Sequence, residues 1–311
     1  MKIKFFIKNL VKNLVKNLLK QTTVKVFQKE RETELLALGK ILSNQQYQIS
    51  SNNINDYEFK IFSQCGDDGI IQYLIKNLYI ENKYFIEFGV GDFSESNCRF
   101  LMMNNNWSGF VMDSSFKAIK RLKKQNWYWM YDLEAKAAYI TKENINYLIS
   151  STGEKNIGIL HIDIDGNDYH ILKKLNLEII NPSIIIAEYN SLFGFKRAIT
   201  VPYRSDFNRS KAHYSNLYFG ASLRALDYIS KKRGYTLVGT NSTGNNAYFI
   251  REDLLNSKVK KVTIKEGYHY SKFREGRDKN NNFSYISSED RLELIKGLEV
   301  ENVINGEIEL L

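Results

Sequence analysis

Apolar and polar residues change rhythm twice along this chain. In residues 1–20, Ile3, Phe6, Ile7, Leu10, Val11, Leu14, Val15, Leu18 and Leu19 share one face of a predicted helix. Lys8, Lys12, Lys16 and Lys20, with Asn9, Asn13 and Asn17, take the other face. A second helix is predicted over 24–44, with Leu35, Leu36, Leu38, Ile41 and Leu42 on one side. The polar run Ser43–Asp56 then reads as a linker. From about residue 57 short apolar strands alternate with helical stretches. Strands are predicted at Tyr84–Phe88, Gly109–Met112, Trp127–Tyr131, Gly158–Ile164, Ser183–Glu188, Tyr235–Gly239 and Ala247–Ile250. Helices are predicted at Asp68–Asn77, Glu95–Asn104, Phe116–Gln125, Lys142–Ser150, Tyr169–Leu175 and Ala221–Arg233.

Such alternation predicts a doubly wound α/β fold, a parallel sheet with helices on both faces. The last two strands are separated only by the turn-rich segment Thr240–Asn246, too short for a crossover, so they should form an antiparallel hairpin. The expected organisation is a helical extension over 1–45, an α/β domain over 57–285, and a C-terminal helix (288–298) and tail within 286–311.

Composition changes this picture at one end only. The net charge is +9, and residues 1–20 hold six lysines and no acid. The remainder is too balanced to point to a nucleic-acid partner. The first helix is too often broken by lysine to span a bilayer and has no signal-peptide core. It could lie on an anionic membrane face, pack on the protein's own body, or join a second copy in a homo-oligomer. The two cysteines, Cys65 and Cys98, form no disulfide framework and no zinc motif, which fits a reducing cytoplasm.

The first strand of the alternating region runs into Glu87-Phe-Gly89-Val-Gly91-Asp92, and Asp113 closes the next strand. Two glycines after a strand let the backbone turn tightly and approach a ligand, and an acid ending the next strand can accept ribose hydroxyls. Ser94 stands where a dinucleotide fingerprint wants its third glycine. A nicotinamide-dependent sugar-modifying enzyme is therefore the alternative, and a non-catalytic binding module a further one.

These residues, with the closing hairpin, resemble the class I S-adenosylmethionine-dependent methyltransferases, whose sheet is Rossmann-like and seven-stranded. The resemblance implies that Glu87, Gly89 and Gly91 line the cofactor loop, that Asp113 holds the ribose, and that Asp132, after the third strand, flanks the adenine. Phe62–Ile71 is similar to a segment of FkbM-like methyltransferases that helps close the cofactor pocket, which adds Gln64 and Asp67. Read without the family, Asp67 or Asp68 caps the helix that follows.

The fourth strand ends His161-Ile-Asp163-Ile-Asp165, and the fifth ends Glu188-Tyr189-Asn190. With a period of two, Asp163 and Asp165 share a face at the carboxyl end of the sheet, where such folds bind ligands. This stretch resembles motifs of FkbM-like and macrocin-type sugar O-methyltransferases, the latter binding magnesium. Asp163, Asp165 and Glu188 are therefore candidate ligands of Mg²⁺ or Mn²⁺. Asp163, Asp165 or His213 could instead act as the base for a hydroxyl acceptor. The long connection Ser191–Gly220 is dense in aromatic and basic residues and should fold over the strand ends as an acceptor lid. Tyr189, Asn190, Arg197, Tyr203, Arg204 and Tyr214 are the candidate acceptor contacts, and aromatic faces with arginines suit a sugar or glycan of capsule or lipopolysaccharide, or its precursor.

Overall fold

The computed structural model describes residues 30–287 and 289–311. The amphipathic helix expected over 1–20 lies outside the described residues. Residues 30–45 form helix α1. The elements that follow are α2 (Asp67–Asn77), β1 (Asn82–Phe88), α3 (Arg99–Asn105), β2 (Ser108–Asp113), α4 (Phe116–Leu122), β3 (Leu133–Ala137) and α5 (Ile145–Ser150). Then come β4 (Ile157–Ile162), α6 (Asp168–Lys174), α7 (Leu177–Ile180), β5 (Ile184–Glu188), β6 (Ile199–Thr200), α8 (Arg209–Ala212) and α9 (Leu223–Lys231). The chain continues with β7 (Tyr235–Thr240), β8 (Asn246–Arg251), α10 (Ile264–Gly267), α11 (Asp290–Glu293), β9 (Glu299–Asn302) and β10 (Ile308–Leu310).

Seven strands form one sheet in the order β3-β2-β1-β4-β5-β8-β7. Strands β1 to β5 pair in parallel, and β8 runs antiparallel to both β5 and β7. The expected hairpin is therefore present, and the sheet is the Rossmann-like one that the sequence predicts. The central strand β4 is buried along its whole length, as a strand covered by helices on both faces must be. One face packs Ile145, Leu148, Ile171, Leu172, Leu226 and Ile229, and the other Ile70, Leu74, Leu101, Ile119 and Leu122.

Three expectations need correction. Trp127–Tyr131 is not the third strand; Tyr128–Met130 is a short 3₁₀ turn, and β3 is Leu133–Ala137. Leu-Glu-Ala-Lys-Ala has helical composition, and its strand character comes from pairing with β2. The run 43–56 is no free linker: Gln46 is buried and its amide donates to the carbonyls of Tyr57 and Gly69, both at 2.8 Å. Finally, the helix expected over 288–298 is only α11, and the residues after it form β9 and β10. These pair with β6 in a second, three-stranded sheet of order β10-β9-β6. That sheet sits on a third apolar cluster containing Ile199, Val201, Phe207, Leu217, Phe219, Ile295 and Val300.

Candidate active site

Parallel strands bring their carboxyl ends to one edge, and the residues there line two adjoining cavities of about 340 and 530 Å³. Both are bordered by Gly89, Asp163, Asp165, Arg209 and Glu275. The smaller holds Gln64, Glu87, Gly91, His161, Glu188, Tyr189 and Asn190; the larger holds Asp113, Tyr139 and Phe207.

The glycine loop is built for close approach. Gly89 has φ +76°, and a Cβ there would lie 1.5 Å from the Asp163 carbonyl oxygen, so the loop packs directly on the end of β4. Gly91, at φ +54°, has nothing within 4 Å of its Cβ position, which leaves open space above the backbone. The Gly91 N–H donates to Asp113 Oδ2 at 2.8 Å, while Asp113 Oδ1 accepts from the Ser115 N–H at 2.7 Å. The acid ending β2 is thus fixed to the loop, and each oxygen retains a lone pair for a ribose hydroxyl.

Below the loop, Glu87 is buried. Its carboxylate meets His161 Nδ1 at 2.9 Å and accepts from Ser96 Oγ at 2.6 Å and the Asn97 N–H at 3.0 Å. Burial alone would raise its pKa, but the hydrogen bond and charge of His161, with Ser96 and Asn97, hold it below the ordinary range. Burial opposes the charge on His161, and Glu87 outweighs that and raises its pKa. Glu87 and His161 therefore form a buried ion pair under the cavity floor.

Asp163, Asp165 and Glu188 bring carboxylate oxygens within 4.8 Å of one another. Asp165 is not on the strand; it sits in the following turn at φ +57°, and that turn carries it back to the same side as Asp163. The turn is held by Asp168, whose carboxylate accepts from the N–H groups of Ile164 and Gly166 at 2.8 and 2.9 Å. Burial, followed by repulsion from Asp165, pushes Asp163 up to about 7. Burial and then Asp163 push Glu188 well above the carboxylate range. The carboxylates of Asp163 and Glu188 crowd together, which favours holding a proton between them, and Glu188 Oε2 is buried with no hydrogen-bond partner. Oxygen donors, crowding and an orphaned buried oxygen fit a hard divalent cation.

The long connection folds over this edge. Arg209 pairs with Asp165 at 2.9 Å and Glu275 at 3.0 Å, and its guanidinium lies 3.8 Å from the centre of the Phe219 ring. Asn190 fastens the lid, donating to the carbonyls of Leu217 and Phe219 at 2.9 and 3.0 Å. The Tyr189 hydroxyl donates to the His269 carbonyl at 2.6 Å, so its ring lines the cavity while its polar end is engaged.

Other expected site residues lie elsewhere. Asp67 is fully buried and accepts from Asn241, Asn246 and Tyr248, tying α2 to the β7–β8 hairpin rather than facing the cofactor loop. Asp132 precedes β3 at the opposite edge of the sheet, because the third strand begins where it was expected to end; Ala138 and Tyr139 occupy the cavity side. His213 borders neither cavity and bonds Ser215 Oγ at 2.7 Å. Arg197 pairs with Glu309 at 2.6 Å, holding the three-stranded sheet. Tyr203 donates to Glu143 at 3.0 Å, Arg204 pairs with Asp206 at 3.3 Å, and the Tyr214 ring packs tilted against His213; none of the three borders either cavity. The sequence reading missed the wall formed by Asn245, Asn246, Ser271, Phe273, Glu275 and Arg291. No predicted strand or glycine motif marks the stretch from Ser271 to Arg291 that supplies most of it. The nicotinamide alternative required helical crossovers to the end of the sheet, and the β7–β8 hairpin removes them.

Residues 105–237 match the family model described as the methyltransferase FkbM domain. No curated protein matches the chain. Solved structures similar to it include an O-methyltransferase from Bacillus cereus in complex with SAH, at 11% identity and a TM-score of 0.40, covering 71% of this chain and 89% of that one. PKMT2 from Rickettsia typhi in complex with AdoHcy is similar at 14% identity and a TM-score of 0.39, covering 58% of this chain and 52% of that one. TrmK from M. capricolum in complex with S-adenosyl-homocysteine is similar at 12% identity and a TM-score of 0.37, covering 62% and 70%. The domain match runs from the end of α3 into β7, over Asp113, Asp163, Asp165 and Glu188, and supports reading the chain as a class I S-adenosylmethionine-dependent methyltransferase.

Proposed function

We propose that the enzyme O-methylates a sugar hydroxyl of a surface glycan, capsule or lipopolysaccharide, or of its precursor. The observation that carries this reading is the cluster Asp163, Asp165 and Glu188, beside the glycine loop and facing the lid. Methyl transfer from a sulfonium to a hydroxyl is an in-line displacement that needs alignment and removal of one proton. The carbon–sulfur bond breaks as the oxygen–carbon bond forms, and S-adenosylhomocysteine leaves. Ionised Asp163 would take the hydroxyl proton, and its pKa, raised to about 7, suits a base working near neutrality. The same carboxylates would hold Mg²⁺ or Mn²⁺, which when bound would lower the hydroxyl pKa. Arg209, paired with Asp165 and Glu275, would hold the cluster in place and set a cation at the border of both cavities. A carboxylate-lined cavity disfavours polyphosphate backbones, and this speaks against a nucleic-acid acceptor.

An isotope-transfer assay against nucleotide sugars, capsule and lipopolysaccharide fragments, small phenols and RNA tests the reading. Label should enter sugar-bearing acceptors, and a chelator should suppress transfer until Mg²⁺ or Mn²⁺ is restored. Exclusive labelling of RNA or protein would overturn it. The reading places the enzyme in the cytoplasm, with residues 1–20 touching the inner membrane face where lipid-linked glycans are built, or joining two copies.

A further inference from the structure

Outside the catalytic edge, the segment after β2 presents the chain's most unusual surface. From Ser114 to Tyr131 there are five cations, Lys117, Lys120, Arg121, Lys123 and Lys124, and no acid. All five are exposed, while Ala118, Ile119 and Leu122 face the core. Among the described residues only Arg121 of the five forms an ion pair, with Asp92 at 3.1 Å. The helix runs through linked turns into the 3₁₀ turn Tyr128–Met130. There Trp129 is 81% and Met130 57% exposed. An indole and a thioether left in water cost burial energy that a monomer has no reason to forgo, and next to unpaired lysines they point to a partner both apolar and anionic.

We propose that the outer face of α4 and the Trp129–Met130 turn dock on a bilayer of anionic phospholipid. The indole ring suits the headgroup level of a membrane, with the lysines reaching the lipid phosphates. A second observation places helix α1 at the same spot. Glu32 in α1 pairs with Arg99 at 2.7 Å, and the Arg99 guanidinium lies 5.0 Å from the centre of the Trp127 ring. Helix α1 thus packs beside the exposed turn. The Arg121–Asp92 pair joins this face to the rim of the smaller cavity, so docking would set the cavity mouth close to the lipid surface. This inference holds whatever the acceptor is, and for any role of residues 1–20.

The test uses the full chain with vesicles of phosphatidylcholine alone and of phosphatidylcholine and phosphatidylglycerol in equal parts. Trp107 and Trp127 are buried, so a change in tryptophan emission reports Trp129. Emission should move to the blue with phosphatidylglycerol and not with phosphatidylcholine alone, and the shift should fade with salt. Replacing Lys117, Lys120, Lys123 and Lys124 with Gln should weaken co-sedimentation by about fivefold per charge at low salt. Trp129→Ala with Met130→Ser should weaken it further, and S-adenosylhomocysteine binding should be unchanged in both variants. A full-length variant with the six N-terminal lysines replaced by Gln should still show the emission shift. Co-sedimentation unaffected by the α4 and Trp129 variants would overturn the proposal, as would an emission shift seen with polyuridylate RNA but not with vesicles.

Discussion

Alanine at the two glycines of the β1 loop should have different consequences, although the two are only two residues apart. At Gly89 the new Cβ would meet the Asp163 carbonyl oxygen at 1.5 Å, and that oxygen is backbone at the end of a buried strand. The methyl group cannot be accommodated by turning a side chain. Left-handed backbone costs a non-glycine residue about 1–2 kcal/mol, and forcing two packed segments apart adds about 1–3 kcal/mol. Gly89→Ala should therefore lose about 2–5 kcal/mol, a large share of a typical domain's stability. At Gly91 the Cβ would meet nothing, so only the backbone term applies, about 1–2 kcal/mol at most. Its methyl would occupy the space left for the cofactor, and affinity should fall by about tenfold or more, about 1.4 kcal/mol. Urea unfolding measures the first quantity, and calorimetry with S-adenosylhomocysteine the second. If Gly91→Ala bound the nucleoside as tightly as the parent, the open space above that backbone would not be the cofactor cradle. If Gly89→Ala were as stable as the parent, the contact with β4 would be wrong.

Three further outcomes are expected. Asp163, Asp68 and Asp168 have pKa values raised to about 7, about 6 and about 6, chiefly by burial. The native state therefore holds protons that the unfolded chain has released, and stability should fall as pH rises from about 4 to about 7. Urea midpoints across that range check this, and Asp163→Asn should flatten the upper part of the slope. Asp67→Ala strands Asn241, Asn246 and Tyr248 in the interior and should cost about 3 kcal/mol or more in the same unfolding assay, without weakening cofactor affinity in the molecules that stay folded. Arg209→Lys cannot span Asp165 and Glu275 with one planar group, so transfer activity should drop about tenfold while thermal unfolding changes little.

Much of the scaffold could be read before any coordinates. Strands β1, β2, β4, β5, β7 and β8 are apolar runs bounded by turn residues, and burial on both faces is what such runs signal. β3 was misplaced because, as the sheet's edge, it carries Glu134 and Lys136 outward, while the aromatic run before it looked more strand-like than the turn it forms. Glu87, the two glycines and the three clustered acids lie at strand ends, where topology alone brings residues together. Asp67, Arg197 and Tyr203 had the right chemistry for a site, but their partners are far away in sequence, and no local pattern reveals which side chain will claim them. The Ser271–Arg291 wall was invisible for the same reason.

The three-stranded sheet carries a kinetic consequence. In the main sheet β1 pairs with the next strand, β2, and the hairpin strands β7 and β8 pair with each other, so these registers form between neighbours along the chain. Strand β6 instead waits for β9, with Ile199 set opposite Asn302. Contacts this distant in sequence close late, because the loop entropy must be overcome before they contribute anything. The lid's small core rests on them, sharing Ile199, Phe207, Phe219 and Val300. Its amides should therefore exchange with deuterium through partial openings that leave the seven-stranded sheet intact. A refolding chain would then acquire its nucleoside-binding half first, and for a short interval would hold the methyl donor in a site with no wall to receive the acceptor.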